Sequence, residues 1–238
     1  MRYELQVDWA ALAVWLVGIG VALWWMARAL DRRMARLSGR FRSPMLLGLS
    51  LAAFLVFSIV LQIIAGAMIW QVAQQPPWAR GPLLANLLKA SLVAQAMATV
   101  AGVLLPWWTF RVYSNLPALG AQPRFAGRWP VLGYLVPPWS LVRPVQILAE
   151  LWQPARPTER GWARAVVAAW WGLNLGTLGL TVASVARWIP PHWQGVSTAA
   201  LVLVPLATSA ATLFLVMRIT NAQQRLGEAR SQVAAVFD

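Results

Sequence analysis

Five long apolar runs without a charged side chain constrain the fold of this 238-residue chain more than any other feature. They cover residues 9–27, 45–70, 90–110, 165–186 and 196–217. A helix of about 20 apolar residues is long enough to cross the roughly 30 Å of hydrocarbon in a bilayer. Only 11% of the residues are charged, against about 25% in an average soluble domain. We therefore predict one all-α integral membrane domain over residues 1–238, with five transmembrane helices.

The basic residues are distributed unevenly between the two sides of these spans. Of the 20 Lys and Arg residues, 16 follow the first, third or fifth span, and four lie on the other side: Arg2, Arg80, Lys89 and Arg187. Basic residues are retained on the cytoplasmic side. We expect a multi-pass protein of the bacterial inner membrane with its N-terminus outside. Residues 218–238 then form a cytoplasmic helical tail, and the basic face is expected to bind anionic lipids.

Several residue types that catalysis and cofactor binding need are scarce. Cysteine is absent and histidine occurs once, which excludes disulfides, thiolate nucleophiles, thiolate metal sites and bis-histidine haem. All seven acidic residues fall outside the apolar runs. The net charge of +13 does not indicate nucleic-acid binding, because the basic residues separate apolar runs and do not form one solvated face. We predict no cofactor, no metal and no enzymatic activity.

A shorter apolar stretch, WPVLGYLVPPWSLVRP at residues 129–144, has arginine at or beside each end. Both flanks belong to the predicted cytoplasmic side, so the stretch does not cross, and Pro137 and Pro138 prevent one straight helix. We predict a re-entrant or interfacial broken helix, followed by a short in-plane helix that ends near residue 153. It acts either as a structural plug or as a small-molecule or ion site.

The strings RVYSNLPALG, VPPWSLVRPVQILAELW and AWWGLN resemble a bacterial membrane family, catalogued as domain of unknown function 4328. Ser140 stands where members of the family have an asparagine. The resemblance covers about residues 51–225, and it implies a polytopic membrane protein without a known activity. The matching positions are Tyr113, Asn115, Leu119, Gly120, Trp129, Pro137, Leu141, Pro144, Gln146, Glu150, Leu151, Trp152, Trp170 and Trp171. From these and Pro138 we take as candidate site residues Asn115, Gly120, Trp129, Pro137, Pro138, Pro144, Gln146, Glu150 and Trp152.

Small and polar residues within the spans predict helix contacts. Gly172, Gly176 and Gly179 form a stripe on the fourth span that lets another helix approach closely. Gln62 and Asn174 are expected to bond a neighbouring helix.

Most of the 16 tryptophans flank the spans, where indole prefers the headgroup boundary. Trp70, Trp78, Trp188 and Trp193 are expected at the outer boundary, and the inner group includes Trp108 and Trp152.

Three functional hypotheses follow. The first is a non-catalytic accessory or structural subunit, bound to other membrane subunits through the glycine stripe or the tail. The alternative is a small transporter or lipid-handling protein that uses segment 129–144 as its site. Two absences argue against this alternative: the spans contain no charged residue, and the sequence shows no visible inverted repeat. The third is an enzyme acting on lipid head groups through Glu150, Asn115 and the arginines.

Overall fold

A computed structural model of the protein describes residues 9–37, 41–152, 160–186, 188 and 190–237. Over these residues the chain forms seven α-helices and no strand. Short 3-10 turns lie at Pro77–Ala79, Trp139–Leu141 and Pro191–Trp193. The helices are α1 (Trp9–Leu37), α2 (Met45–Gln74), α3 (Arg80–Ser114), α4 (Trp129–Leu135), α5 (Arg143–Trp152), α6 (Arg160–Val185) and α7 (Gln194–Phe237).

Among the described residues, four helices are long and apolar enough to cross a membrane: α2, α3, α6 and α7. Only 11–28% of their most apolar windows is buried within the chain, so lipid must cover most of the remaining apolar surface. This pattern is that of a multi-pass membrane protein, as expected from the sequence. Helix α1 includes the first predicted span, but its side chains are described only from Val17 onward. The five-span count therefore stays a prediction.

The helices are longer than the apolar runs that predicted them. Helix α3 begins at Arg80, ten residues before the apolar run, and α7 continues unbroken through the segment predicted as a helical tail. An apolar run marks only the part of a helix that lies in hydrocarbon. The hydrogen bonds of a helix are local, so it can continue into the headgroup region through charged residues.

The long helices pack in a row in the order α3, α2, α7, α6. The tightest packing lies at the end that carries Arg42, Arg111 and Arg143, which we call the arginine-rich end. At this end, two indole N–H groups donate hydrogen bonds to threonine hydroxyls of α7. Trp108 donates to Thr220 at 2.9 Å, and Trp170 donates to Thr212 at 2.8 Å. The core at this end includes Leu51, Val112, Ile147, Leu151, Val167 and Leu215.

The structure corrects the predicted position of two tryptophans. Trp108 and Trp152, expected at the inner headgroup boundary, are only 0% and 2% exposed and belong to the protein core. A buried indole with a protein acceptor, as Trp108 has in Thr220, needs no headgroup partner. Trp70, Trp78, Trp188 and Trp193, at the opposite end, are exposed.

The closest approach between helices is not at the predicted glycine stripe. A Cβ atom placed on Gly172 or Gly179 would meet no heavy atom within 4 Å, and one on Gly176 only Val204 Cγ1 at 3.9 Å. By contrast, a Cβ atom on Gly48 of α2 would lie 2.6 Å from Oγ1 of Thr220. Gly48 therefore sets the distance between α2 and α7. The role of the stripe as an interface stays a prediction.

Candidate functional site

Most of the candidate residues lie in one compact region at the arginine-rich end, which we call the cap (residues 115–152). It runs from the turn after α3 through α4 and a 3-10 turn to α5. Helix α4 ends at Leu135, Val136 is extended, and Pro137 and Pro138 follow with a cis peptide bond between them. The helix breaks at the predicted prolines because proline has no N–H and disfavours a helical residue before it.

Asn115 joins three chain segments at the base of the cap. Its side chain is fully buried, its Oδ1 accepts the N–H of Arg42 at 3.1 Å, and its Nδ2 donates to the Arg42 carbonyl at 2.9 Å. The same Nδ2 donates to Oε1 of Gln223 at 3.3 Å, and Gln223 Nε2 donates to the Val112 carbonyl at 3.1 Å. Asn115 thus ties the segment before α2 to α3 and α7.

Glu150 fastens the loop before α4 onto α5. Its Oε1 accepts the N–H of Arg124 at 2.7 Å and lies 3.3 Å from the Tyr113 hydroxyl. That hydroxyl in turn accepts the N–H of Phe125 at 2.8 Å. Burial raises the pKa of Glu150, and the bonds from Arg124 and Tyr113 and the charge of Arg124 oppose the rise. The described contacts of this carboxylate all lie within the cap and the end of α3.

Arg143 is stacked among three aromatic rings. Its Cζ lies 4.7 Å, 5.0 Å and 5.2 Å from the ring centroids of Phe125, Trp129 and Trp139. One terminal nitrogen donates to Oε1 of Gln146 at 2.9 Å. A cation among aromatic faces is favourable when it is shielded from water. This stack joins the loop before α4, the 3-10 turn and α5, and it explains the positions of two candidate residues, Trp129 and Gln146.

The remaining candidates also have structural surroundings. Gly120 has φ +73°, a conformation that suits glycine, in a turn whose Ala118 carbonyl accepts a bond of 2.7 Å from Arg230. This bond attaches the far end of α7 to the cap. Pro144 and Trp152 are buried on α5. The candidate motif thus holds the cap together, and it forms no group of His, Asp and Glu able to hold a metal among the described residues.

The broken segment fills the space between α3 and α6 at the arginine-rich end. The Tyr134 hydroxyl lies 3.2 Å from Oγ1 of Thr109 on α3, and its ring meets that of Trp171 on α6 edge-on, with centroids 6.5 Å apart. Nε1 of Trp171 donates to the Leu141 carbonyl at 2.8 Å. The tip carries four exposed apolar side chains: Leu135, Trp139, Leu141 and Val142. The segment thus closes the gap between α3 and α6 at the arginine-rich end.

A second site, not predicted from the sequence, lies beyond this closure. Helices α2, α3, α6 and α7 line an open cavity of about 540 Å³, whose walls carry apolar side chains together with serine, threonine, asparagine and glutamine. On α6 the polar lining is Asn174, Thr177 and Thr181, a spacing of three and four residues that places them on one helix face. This spacing was the available signal in the sequence, from which Asn174 and Gln62 were expected only to bond a neighbouring helix.

Comparison with known proteins identifies a family. The model of the family described as Domain of unknown function (DUF4328) matches residues 84–223, more than half of the chain, from α3 into α7. This confirms the resemblance noted in the sequence, with a later start than residue 51. No curated protein and no solved structure matches.

Proposed function

This chain belongs to the family of Domain of unknown function DUF4328, and we propose from that premise that it is a non-catalytic subunit of a larger membrane assembly. The observation that carries the proposal is the uncovered glycine stripe of α6, since Gly172 and Gly179 have open space where a Cβ atom would lie. Lipid chains make few contacts with a glycine residue, whereas a second helix can pack closely against the backbone of the glycine stripe. The stripe is therefore available to a partner helix.

The geometry of α6 supports two separate surfaces. At about 100° per residue, Gly172, Gly176 and Gly179 fall within about 60° of the helix circumference. Asn174 and Thr177, which line the cavity, lie on the opposite side. Gly172 and Gly179 thus face away from the rest of the described chain, and Gly176 lies beside Val204 of α7.

We expect the double substitution Gly172→Leu and Gly176→Leu to reduce co-purification of partner subunits by about tenfold or more, because leucine side chains would keep a partner backbone at a distance. The chain itself should stay folded, since a Cβ atom on Gly172 would meet nothing within 4 Å and one on Gly176 would make only an ordinary contact of 3.9 Å with Val204. Affinity purification in mild detergent from cells of the native source, followed by mass spectrometry, measures both partners and bound lipid. Gly20→Leu on α1 is the matched control, because its Cβ atom would also meet nothing within 4 Å. Unchanged partner recovery with the double variant contradicts an interface at the stripe.

We further propose that the arginine-rich end is cytoplasmic, in a bacterial inner membrane, with the N-terminus outside. Segment 129–144 is then a re-entrant element, which its exposed apolar tip supports: water would be a poor solvent for Leu135, Trp139, Leu141 and Val142. The basic residues at the same end are expected to attract anionic lipid.

Single cysteines test this orientation directly, because the chain has none of its own. Ala126→Cys and Gly161→Cys flank the broken segment, and both positions are exposed in the structure. We expect both to be protected from an impermeant maleimide added to intact cells. Gln75→Cys, in the exposed turn between α2 and α3, is the control that should react. Reaction of only one flanking cysteine from outside means that segment 129–144 crosses the membrane, which contradicts the proposed topology.

The cavity favours a second candidate function, a small transporter or lipid-handling protein. None of the described residues that line the cavity comes from segment 129–144. That segment therefore supports such a role only by closing the end of the cavity.

A further inference from the structure

The cavity between α2, α3, α6 and α7 lies among membrane-spanning helices and carries more hydrogen-bonding groups than the chain itself uses. Its volume of about 540 Å³ falls within the usual range of about 300–1,000 Å³ for ligand sites. None of its described lining residues is Asp, Glu, Lys or Arg. Its polar groups are therefore uncharged.

Part of the polar lining is satisfied by contacts between helices. Oγ1 of Thr177 on α6 lies 3.2 Å from Oγ1 of Thr208 on α7, and Nε2 of Gln62 donates to Ser209 at 3.2 Å and to Ser58 at 2.9 Å. Such bonds hold helices together in a membrane. They confirm the expectation that Gln62 bonds a neighbouring helix, but they leave its carbonyl oxygen unused.

One side-chain group of the described lining is a buried hydrogen-bond acceptor without a partner. Oε1 of Gln62 is buried and has no hydrogen-bond partner in the described part of the chain. Asn174 donates one of its two amide N–H groups to the Trp170 carbonyl of its own helix at 2.9 Å, so the expected bond to a neighbouring helix is not the one it makes. Pro205 has no N–H to offer the carbonyl of Leu201 one turn earlier. An acceptor without a donor is unfavourable at membrane depth. A ligand that donates hydrogen bonds would satisfy these groups.

Access to the cavity is from the side. Helices α3 and α6 stand at the two ends of the row and make little direct contact with each other over the described residues. Both nevertheless line the cavity. The gap between them is filled at the arginine-rich end, where Tyr134 meets Thr109 and Trp171. Away from that end, the gap faces the surface of the helix row that lipid would cover.

We propose that this cavity binds an uncharged lipid with a hydroxyl head group, which enters from the bilayer between α3 and α6. The hydroxyl donates to Gln62 or Asn174, and the apolar chain stays in the gap between the two helices. A phospholipid does not fit, because its phosphate would be placed among uncharged groups without a cation. A quinone does not fit either, because its carbonyl oxygens only accept hydrogen bonds and would leave Oε1 of Gln62 without a donor. The inference concerns a different surface from the glycine stripe and is independent of the accessory role.

The test uses the full-length protein in nanodiscs of phosphatidylcholine, with a diacylglycerol that carries a photoreactive diazirine on one acyl chain. Cross-linked residues, located by mass spectrometry, are expected to concentrate on the lining segments of α3 and α6. Unlabelled diacylglycerol should compete with the probe, whereas phosphatidylglycerol and a ubiquinone should not. Labelling spread evenly over the lipid-facing helices would overturn the proposal, and so would equal competition by phosphatidylglycerol or ubiquinone.

Two variants separate a site from general lipid contact. Gly102 lines the cavity and its Cβ atom would meet nothing within 4 Å, so the side chain of Gly102→Leu should occupy part of the cavity and reduce labelling by about tenfold. Gly179→Leu adds the same side chain on the opposite face of α6 and is expected to leave labelling unchanged. Gln62→Leu removes the buried acceptor and should also weaken labelling, which gives a second result should Gly102→Leu fail to fold. Normal labelling of whichever folded cavity variant is obtained would overturn the proposal.

Discussion

Asn115→Ala is expected to lower the free energy of unfolding by about 3–5 kcal/mol and to release the cap from the helix row. The substitution leaves three groups without their partner: the partly buried N–H and carbonyl of Arg42 and the buried Oε1 of Gln223. Each unsatisfied buried group is unfavourable by about 1–3 kcal/mol.

The measurement is denaturant-induced unfolding of the purified protein in mixed micelles, followed by tryptophan fluorescence. Trp108 and Trp152, both buried near the cap, should report the loss of packing. Asn221→Ala is the matched control, since this asparagine lies on α7 near the same end and makes no hydrogen bond within the described residues. Equal stability of the two variants would contradict a central role for Asn115 in holding the cap.

Gly48→Ala is expected to destabilise the chain by about 1–3 kcal/mol, although alanine normally favours a helix over glycine. The new Cβ atom would lie 2.6 Å from Oγ1 and 2.9 Å from Cγ2 of Thr220. Thr220 is fully buried and cannot turn away without losing the bond that its Oγ1 accepts from Trp108. Either α2 and α7 separate, or the indole loses its acceptor.

A double-mutant cycle isolates this contact in the same unfolding experiment. In a Thr220→Ala background the two closest atoms are gone, so Gly48→Ala should have a much smaller effect than in the wild type. Gly102→Ala serves as the control, because its Cβ atom meets nothing within 4 Å and the helix should be slightly stabilised. If Gly48→Ala left the free energy of unfolding unchanged both in the wild type and in Thr220→Ala, this contact would not set the helix spacing.

Features of the fold that depend on local chemistry could be predicted from the sequence. The apolar runs marked α2, α3, α6 and α7, because hydrocarbon requires an apolar surface on every side. Pro137 and Pro138 marked the break after α4, because proline lacks an N–H wherever it lies. Helix ends were less predictable, because polar residues such as Arg80 are tolerated outside the hydrocarbon.

Features that depend on which helix faces meet could not be predicted in this way. Asn115 was selected by resemblance, but its partner Gln223 lies 108 residues later in the chain. The periodic glycines of α6 led us to predict close packing there, whereas a close approach occurs at the isolated Gly48. Only the order of the helices in the row brings Gln62 and Thr177 to one cavity. A single threonine or glutamine in an apolar span does not indicate which residues of other helices it will meet.

The central claim, that the chain works as a subunit of a larger membrane assembly, is tested most directly by native mass spectrometry of the wild-type protein. The sample is extracted from its native membrane in a mild detergent without overexpression. We predict a particle heavier than the single chain, containing at least one other membrane protein in fixed stoichiometry, with bound phospholipid that is lost as salt is raised. A particle with the mass of the single chain and nothing attached would contradict the subunit proposal and leave the lipid-handling function as the better account.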